Sequence, residues 1–111
     1  MKNSLADKKC QVCEGGVPPL SNDEAQKHLN EIHEDWHLTQ NNTVITRTYK
    51  FKGYYKTIAF VNAVAWIAQD EGHHPDLEVN YGKVIVNFTT HAVDGLTQND
   101  FICAYKVDAL V

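Results

Sequence analysis

The apolar residues of this chain change period twice, and that pattern fixes the fold class before any other feature. From Val44 to Phe51 the sequence alternates, with Ile45, Arg47, Tyr49 and Phe51 on one side and Val44, Thr46, Thr48 and Lys50 on the other. Trp36 and Leu38 begin a shorter alternating stretch and Asn41-Asn42 supplies a turn, so a β-hairpin is expected. From Tyr54 the period lengthens: Ile58, Val61, Ala65 and Ala68 lie at helical spacing, flanked by Phe60, Val64 and Ile67. So wide an apolar surface suits a central helix lying on a sheet. Gly72, which tolerates positive φ, and Pro75 shortly beyond should end it. Period two then returns through Leu77, Val79 and Tyr81, turns at Gly82-Lys83, and continues through Val84, Val86 and Phe88 as a second hairpin.

Two capping boxes frame this centre. Ser21 with Glu24 starts a helix predicted from Asn22 to about Glu34, with Ala25, Leu29 and Ile32 at helical spacing and His28 on the same face. Thr97 with Asp100 starts a last helix running to near the C-terminus, and Leu96 and Phe101 stand where a hydrophobic staple would hold it. The order is α-β-β-α-β-β-α: an α+β fold, with a four-stranded, mainly antiparallel sheet covered on one face by helices. Such a sheet has open edges, and self-association into a homodimer or homotetramer would protect them.

A chain of 111 residues forms one core. The single domain is assigned to residues 21–111, and residues 1–20, with Gly15, Gly16, Pro18 and Pro19 and no periodicity, read as a flexible N-terminal arm. The arm carries a C-x-x-C at Cys10 and Cys13, but no second C-x-x-C or H-x-x-x-H completes a structural zinc site. Reduced thiols are the simplest reading, with a small zinc protein or a redox pair as alternatives. A net charge of −4 lacks the field that drives phosphate binding, so no nucleic acid is expected. No apolar run approaches the ~20 residues of a membrane span, and the polar N-terminus lacks a secretory signal, so the expected location is the cytoplasm.

Chemistry points to histidine. Of the six histidines, His28, His33 and His37 lie on or just after the first helix and are given no role. His73 and His74 follow Gly72 and precede Pro75, so a rigid turn displays two imidazoles, and His91, at the end of the returning strand, can approach the same sheet rim. A helix-terminal histidine satisfying free carbonyls would account for one of them, less easily for three. A His₃ zinc site is disfavoured because adjacent residues rarely place both rings on one ion and no H-E-x-x-H is present, so no metal is assigned. There is no P-loop or G-x-G-x-x-G, and no thiol or hydroxyl is placed as a triad nucleophile. What remains is an acid/base pocket without a cofactor. Asp100 reads first as the carboxylate of its capping box.

The string Glu71-Gly72-His73-His74-Pro75-Asp76, then Tyr81, Thr90-His91, Gly95-Leu96-Thr97 and Asp100, closely resembles the signature of the pterin-4a-carbinolamine dehydratase family. The resemblance runs from Ser21 to the C-terminus. The C-x-x-C arm is similar to that of bacterial members, which often sit beside aromatic amino-acid hydroxylases. The resemblance implies dehydration of a 4a-hydroxytetrahydropterin to quinonoid dihydropterin and water, in tetrahydropterin recycling, with no metal or cofactor and with such a hydroxylase as functional partner. It implies His73, His74 and His91 as the catalytic set, the first and last as the acid/base pair and His74 mainly holding the pterin. Pro75, Thr90 and Asp100 join His74 in substrate binding, Asp100 shaping the pocket while it caps its helix. One position departs from the family pattern: Gln69 stands four residues before His73 where members commonly carry an acid. A neutral amide orients an imidazole but does not act on it by charge. The alternative function is a protein-binding regulatory module, because animal members also serve as dimerisation cofactors for a homeodomain transcription factor.

Overall fold

A computed structural model describes residues 4–11 and 18–111. The elements are α1 (Asn22–Leu29), β1 (His37–Thr39), β2 (Val44–Lys50), α2 (Tyr54–Glu71), β3 (Asp76–Val79), β4 (Lys83–Phe88) and α3 (Gln98–Asp108), with short 3-10 turns at Ser4–Asp7 and His91–Val93. The strands form one sheet in the order β1-β2-β4-β3, antiparallel throughout. The expected α-β-β-α-β-β-α order and both hairpins are present.

The alternation read from the sequence is the one the sheet uses. Ile45, Arg47 and Tyr49 of β2 stand opposite Phe88, Val86 and Val84 of β4, and all six are buried. They meet Phe60 and Val64 of α2 and Phe101, Ile102, Ala104 and Val107 of α3 in one core. On the other face Thr46, Ile85 and Asn87 stay partly exposed. Arg47 takes an inward position because Asp108, at the end of α3, meets it there at 2.7 Å. The same carboxylate accepts from Tyr49 Oη at 2.5 Å and Trp36 Nε1 at 2.9 Å. A buried guanidinium needs such a partner.

Both capping boxes form, at Ser21/Glu24 and at Thr97/Asp100. The first helix is shorter than its pattern suggests, ending at Leu29 and not near Glu34. Beyond it the hydrogen bonds tighten to three-residue turns, Glu31 N–H to His28 O and Ile32 N–H to Leu29 O. Ile32 and Trp36 still reach the core, so the apolar spacing is met by a turn that bends the chain towards β1. The loop from β1 to β2 is wider than a two-residue turn, with Gln40, Asn41 and Asn42 all at positive φ.

Residues 4–11 differ from the loose arm expected of them. Leu5 is fully buried in the core. Cys10 N–H donates to Glu71 Oε1 at 2.8 Å, and Gln11 is clamped by Asn99, whose Oδ1 accepts from Gln11 N–H at 3.0 Å while its Nδ2 donates to Gln11 O at 2.7 Å. An aperiodic segment held by side chain-to-backbone bonds leaves no periodic trace in a sequence. Cys13, and with it half of the C-x-x-C, lies outside the described residues. Among the described residues no helix is long and apolar enough to cross a membrane.

Candidate active site

The site begins where α2 stops. Gly72 adopts φ 68°, and its N–H and that of His73 both donate to Ala68 O, which reverses the chain and frees His73 to swing towards α3. The His73 ring lies parallel to Phe88, the last residue of β4, with centroids 6.0 Å apart and planes 9° apart. Its Nε2 is 2.6 Å from Asp100 Oδ1. Asp100 has no solvent exposure, and its other oxygen accepts from Thr90 Oγ1 at 2.8 Å and from Thr97 N–H at 3.0 Å. One carboxylate therefore caps α3, fixes Thr90 and orients His73.

With Nε2 committed to Asp100, the ring's Nδ1 makes no hydrogen bond among the described residues. A carboxylate on one ring nitrogen fixes that nitrogen as N–H and leaves the other as an acceptor, able to take a proton while the carboxylate faces the resulting cation.

His73 forms part of a cleft of about 380 Å³ that is also lined by Gln11, His74, Thr89, Thr90, His91 and Asn99. Four of the residues singled out from the sequence, His73, His74, Thr90 and His91, thus share one cavity. Asp100 lies behind His73 and does not line it. Pro75 does not line it either: with Gln69 and Leu77 it forms an apolar groove on the far side of His74, which borders both cavities. The His91 side chain is 80% exposed, with Nε2 4.0 Å from an equally open Asp76 carboxylate, a contact too long and too wet to hold the ring. His73 is therefore held, and His91 stands open to solvent at the rim.

The acids beside His73 point elsewhere. Asp70 faces solvent and pairs with Lys9. Glu71 turns inward to Lys106 at 2.5 Å. Burial by itself would raise its pKa, but Lys106, the Cys10 N–H and Lys9 outweigh it and hold the carboxyl below its ordinary value.

Sequence reasoning did not find Gln11 or Asn99. Asn99 occupies one of the unspecified positions of G-L-T-x-x-D, and Gln11 lies in the arm. Nothing in their spacing marks either.

Residues 18–110 match the family model described as pterin 4 alpha carbinolamine dehydratase. The chain belongs to that family. A Nitrosomonas eutropha protein, provisionally named a pterin-4-alpha-carbinolamine dehydratase, is 55% identical over 107 residues, 96% of this chain and 93% of its own. A Legionella pneumophila protein of the same provisional name is 48% identical over 111 residues, 100% of this chain and 98% of its own. Among solved structures, a transcriptional coactivator/pterin dehydratase from Brucella melitensis superposes with a TM-score of 0.78 at 29% identity, covering 83% of this chain and 97% of that one. A pterin dehydratase-like protein identified as a RuBisCO assembly factor in the alpha-carboxysome shares the fold, with a TM-score of 0.61 at 23% identity, over 70% of this chain and 90% of that one. The family match starts at residue 18, so the Asn99 clamp on Gln11 adds to this cleft a wall from outside the region that the family model matches.

Proposed function

We propose that the cleft binds a 4a-hydroxytetrahydropterin and removes its 4a-hydroxyl as water, giving quinonoid dihydropterin for tetrahydropterin recycling. The observation that carries this reading is the His73–Asp100 pair at 2.6 Å on the wall of a cleft that His91 also lines. The reaction breaks the C4a–O bond. A proton joins the departing oxygen, the N5 lone pair closes the C4a–N5 double bond, and N5 gives up its proton. Nothing is oxidised or reduced overall, so one acid and one base suffice.

His73 takes the N5 proton on Nδ1, since its other nitrogen is tied to a carboxylate that faces the cation formed. His91, exposed to water, supplies the proton to the leaving oxygen and is recharged from solvent. His74 orients the pterin between the cleft and the groove of Pro75, and Thr90 and Asp100 act by fixing His73. The same proposal places the protein in the cytoplasm, supplied with substrate by an aromatic amino-acid hydroxylase, as a homodimer or homotetramer. Two features favour assembly: β1 and β3 are the sheet's outer strands, and Tyr55 and Trp66 stand 86% and 70% exposed.

A rapid-mixing assay on chemically generated 4a-hydroxytetrahydropterin tests the reading. Dehydration well above the buffer rate is expected. No acceleration by folded protein would contradict it and favour the second reading, a protein-binding regulatory module, which the coactivator role in the name of the Brucella melitensis structure supports.

A further inference from the structure

The C-x-x-C spacing names Cys13 as the obvious partner of Cys10, yet Cys10 Sγ lies 3.5 Å from Cys103 Sγ, ninety-three residues away in α3. Both are free thiols, Cys10 half-exposed and Cys103 buried. We propose that Cys10 is a modification site for a small-molecule disulfide of the glutathione class, and that Cys103 resolves the adduct into a Cys10–Cys103 disulfide that fastens the cleft wall to α3. The inference concerns sulfur chemistry and does not depend on the dehydration reading.

The surroundings hold the two sulfurs in register. Glu71 accepts the Cys10 N–H at 2.8 Å, the Cys10 thiol also reaches Asn99 O at 3.6 Å, and the next residue, Gln11, is clamped at both its N–H and its carbonyl by Asn99. A disulfide has sulfurs about 2.05 Å apart, so they need to close by only about 1.5 Å. That is within reach of a change in the Cys10 side-chain torsion. Gln11 lines the histidine cleft, so a bond at Cys10 fixes the residue beside it.

The steps balance. The Cys10 thiolate attacks one sulfur of the small disulfide, breaking its S–S bond and expelling a thiolate. The Cys103 thiol then attacks Cys10 Sγ, its proton passing to the departing sulfur, so the mixed disulfide breaks and the second small thiol leaves. Two protein thiols are oxidised and one small disulfide is reduced to two thiols.

Full-length wild type, Cys13→Ser and Cys10→Ser, incubated with oxidised glutathione, alkylated at residual thiols and digested for peptide mass spectrometry, give the test. Wild type and Cys13→Ser are expected to yield the Cys10–Cys103 cross-linked peptide, and Cys10→Ser none. The bond closes almost the whole chain into one loop, so oxidised Cys13→Ser should melt roughly 10 °C or more above its reduced form. A Cys10–Cys13 bond in the wild type, or a glutathione adduct that persists on Cys10 in Cys13→Ser, would overturn the proposal. A melting temperature unchanged by the cross-link would overturn the fastening.

Discussion

His73 Nε2 and Asp100 Oδ1 stand 2.6 Å apart, joining the turn after α2 to the first turn of α3. The two residues lie 27 positions apart in sequence, and each is placed by a local device. Gly72 in the left-handed region turns His73 out of the helix, and the capping box fixes Asp100. Two independent helix-terminus signals therefore meet in one pair.

In the proposed mechanism Asp100 acts through His73, so Asp100→Asn should separate positioning from packing. The amide keeps the shape but loses the charge and one acceptor, and kcat is expected to fall about 10²-fold. The pH profile of kcat should change as well, which a purely structural role would not produce. Stability should drop by only about 1–2 kcal/mol, read by denaturant titration.

Asn99 holds the Gln11 wall of the cleft and has no part in the proposed proton transfers. Asn99→Ala is expected to raise KM several-fold and leave kcat within about twofold, since the lost interaction serves ground and transition states alike. Steady-state kinetics at fixed pH decide it. A drop in kcat with unchanged KM would place Asn99 in the chemistry.

The fold was legible wherever period or capping carried it. The switch of period at Tyr54, Gly72 as stop signal and both capping boxes lie within single elements, and the structure uses each of them. The shortened α1 was not legible, because Ile32 occupies a helical position yet reaches the core through a turn. His73, His74 and His91 stood out because they sit at element ends on one sheet rim. The burial of Leu5 and the Asn99–Gln11 clamp were hidden for a different reason. They join an aperiodic segment to α3 through contacts about ninety residues apart, and no local pattern encodes such a contact.

Glu71 makes stability depend on pH with a definite sign. Its folded-state pKa lies below the ordinary carboxylate value, so its contribution is complete above about pH 4.5 and is lost as pH falls through the lower, folded value. Glu71→Gln should lower stability by about 2 kcal/mol at pH 7 and flatten the acid limb of the curve, followed by thermal melts from pH 7 to pH 3. The parent losing no more stability than the variant over that range would be the contrary result.

Asp108 gathers Trp36, Arg47 and Tyr49 far from the cleft, and burial with the neighbouring Asp108 carboxylate pushes the Tyr49 hydroxyl pKa up. Asp108→Ala leaves the buried Arg47 unpaired and should cost about 3 kcal/mol in denaturant unfolding. In the fraction that remains folded, kcat for pterin dehydration should be unchanged.

In the proposed mechanism His73 and His91 move protons while His74 mainly binds. Rapid-mixing dehydration of 4a-hydroxytetrahydropterin by wild type, His73→Ala, His91→Ala and His74→Ala tests it most directly. The expected result is a kcat about 10²-fold lower for His73→Ala and for His91→Ala with KM little changed, and a raised KM for His74→Ala. Removing both acid/base histidines should cost less than the product of the single effects. Wild-type kcat in folded His73→Ala and His91→Ala would contradict this division of roles.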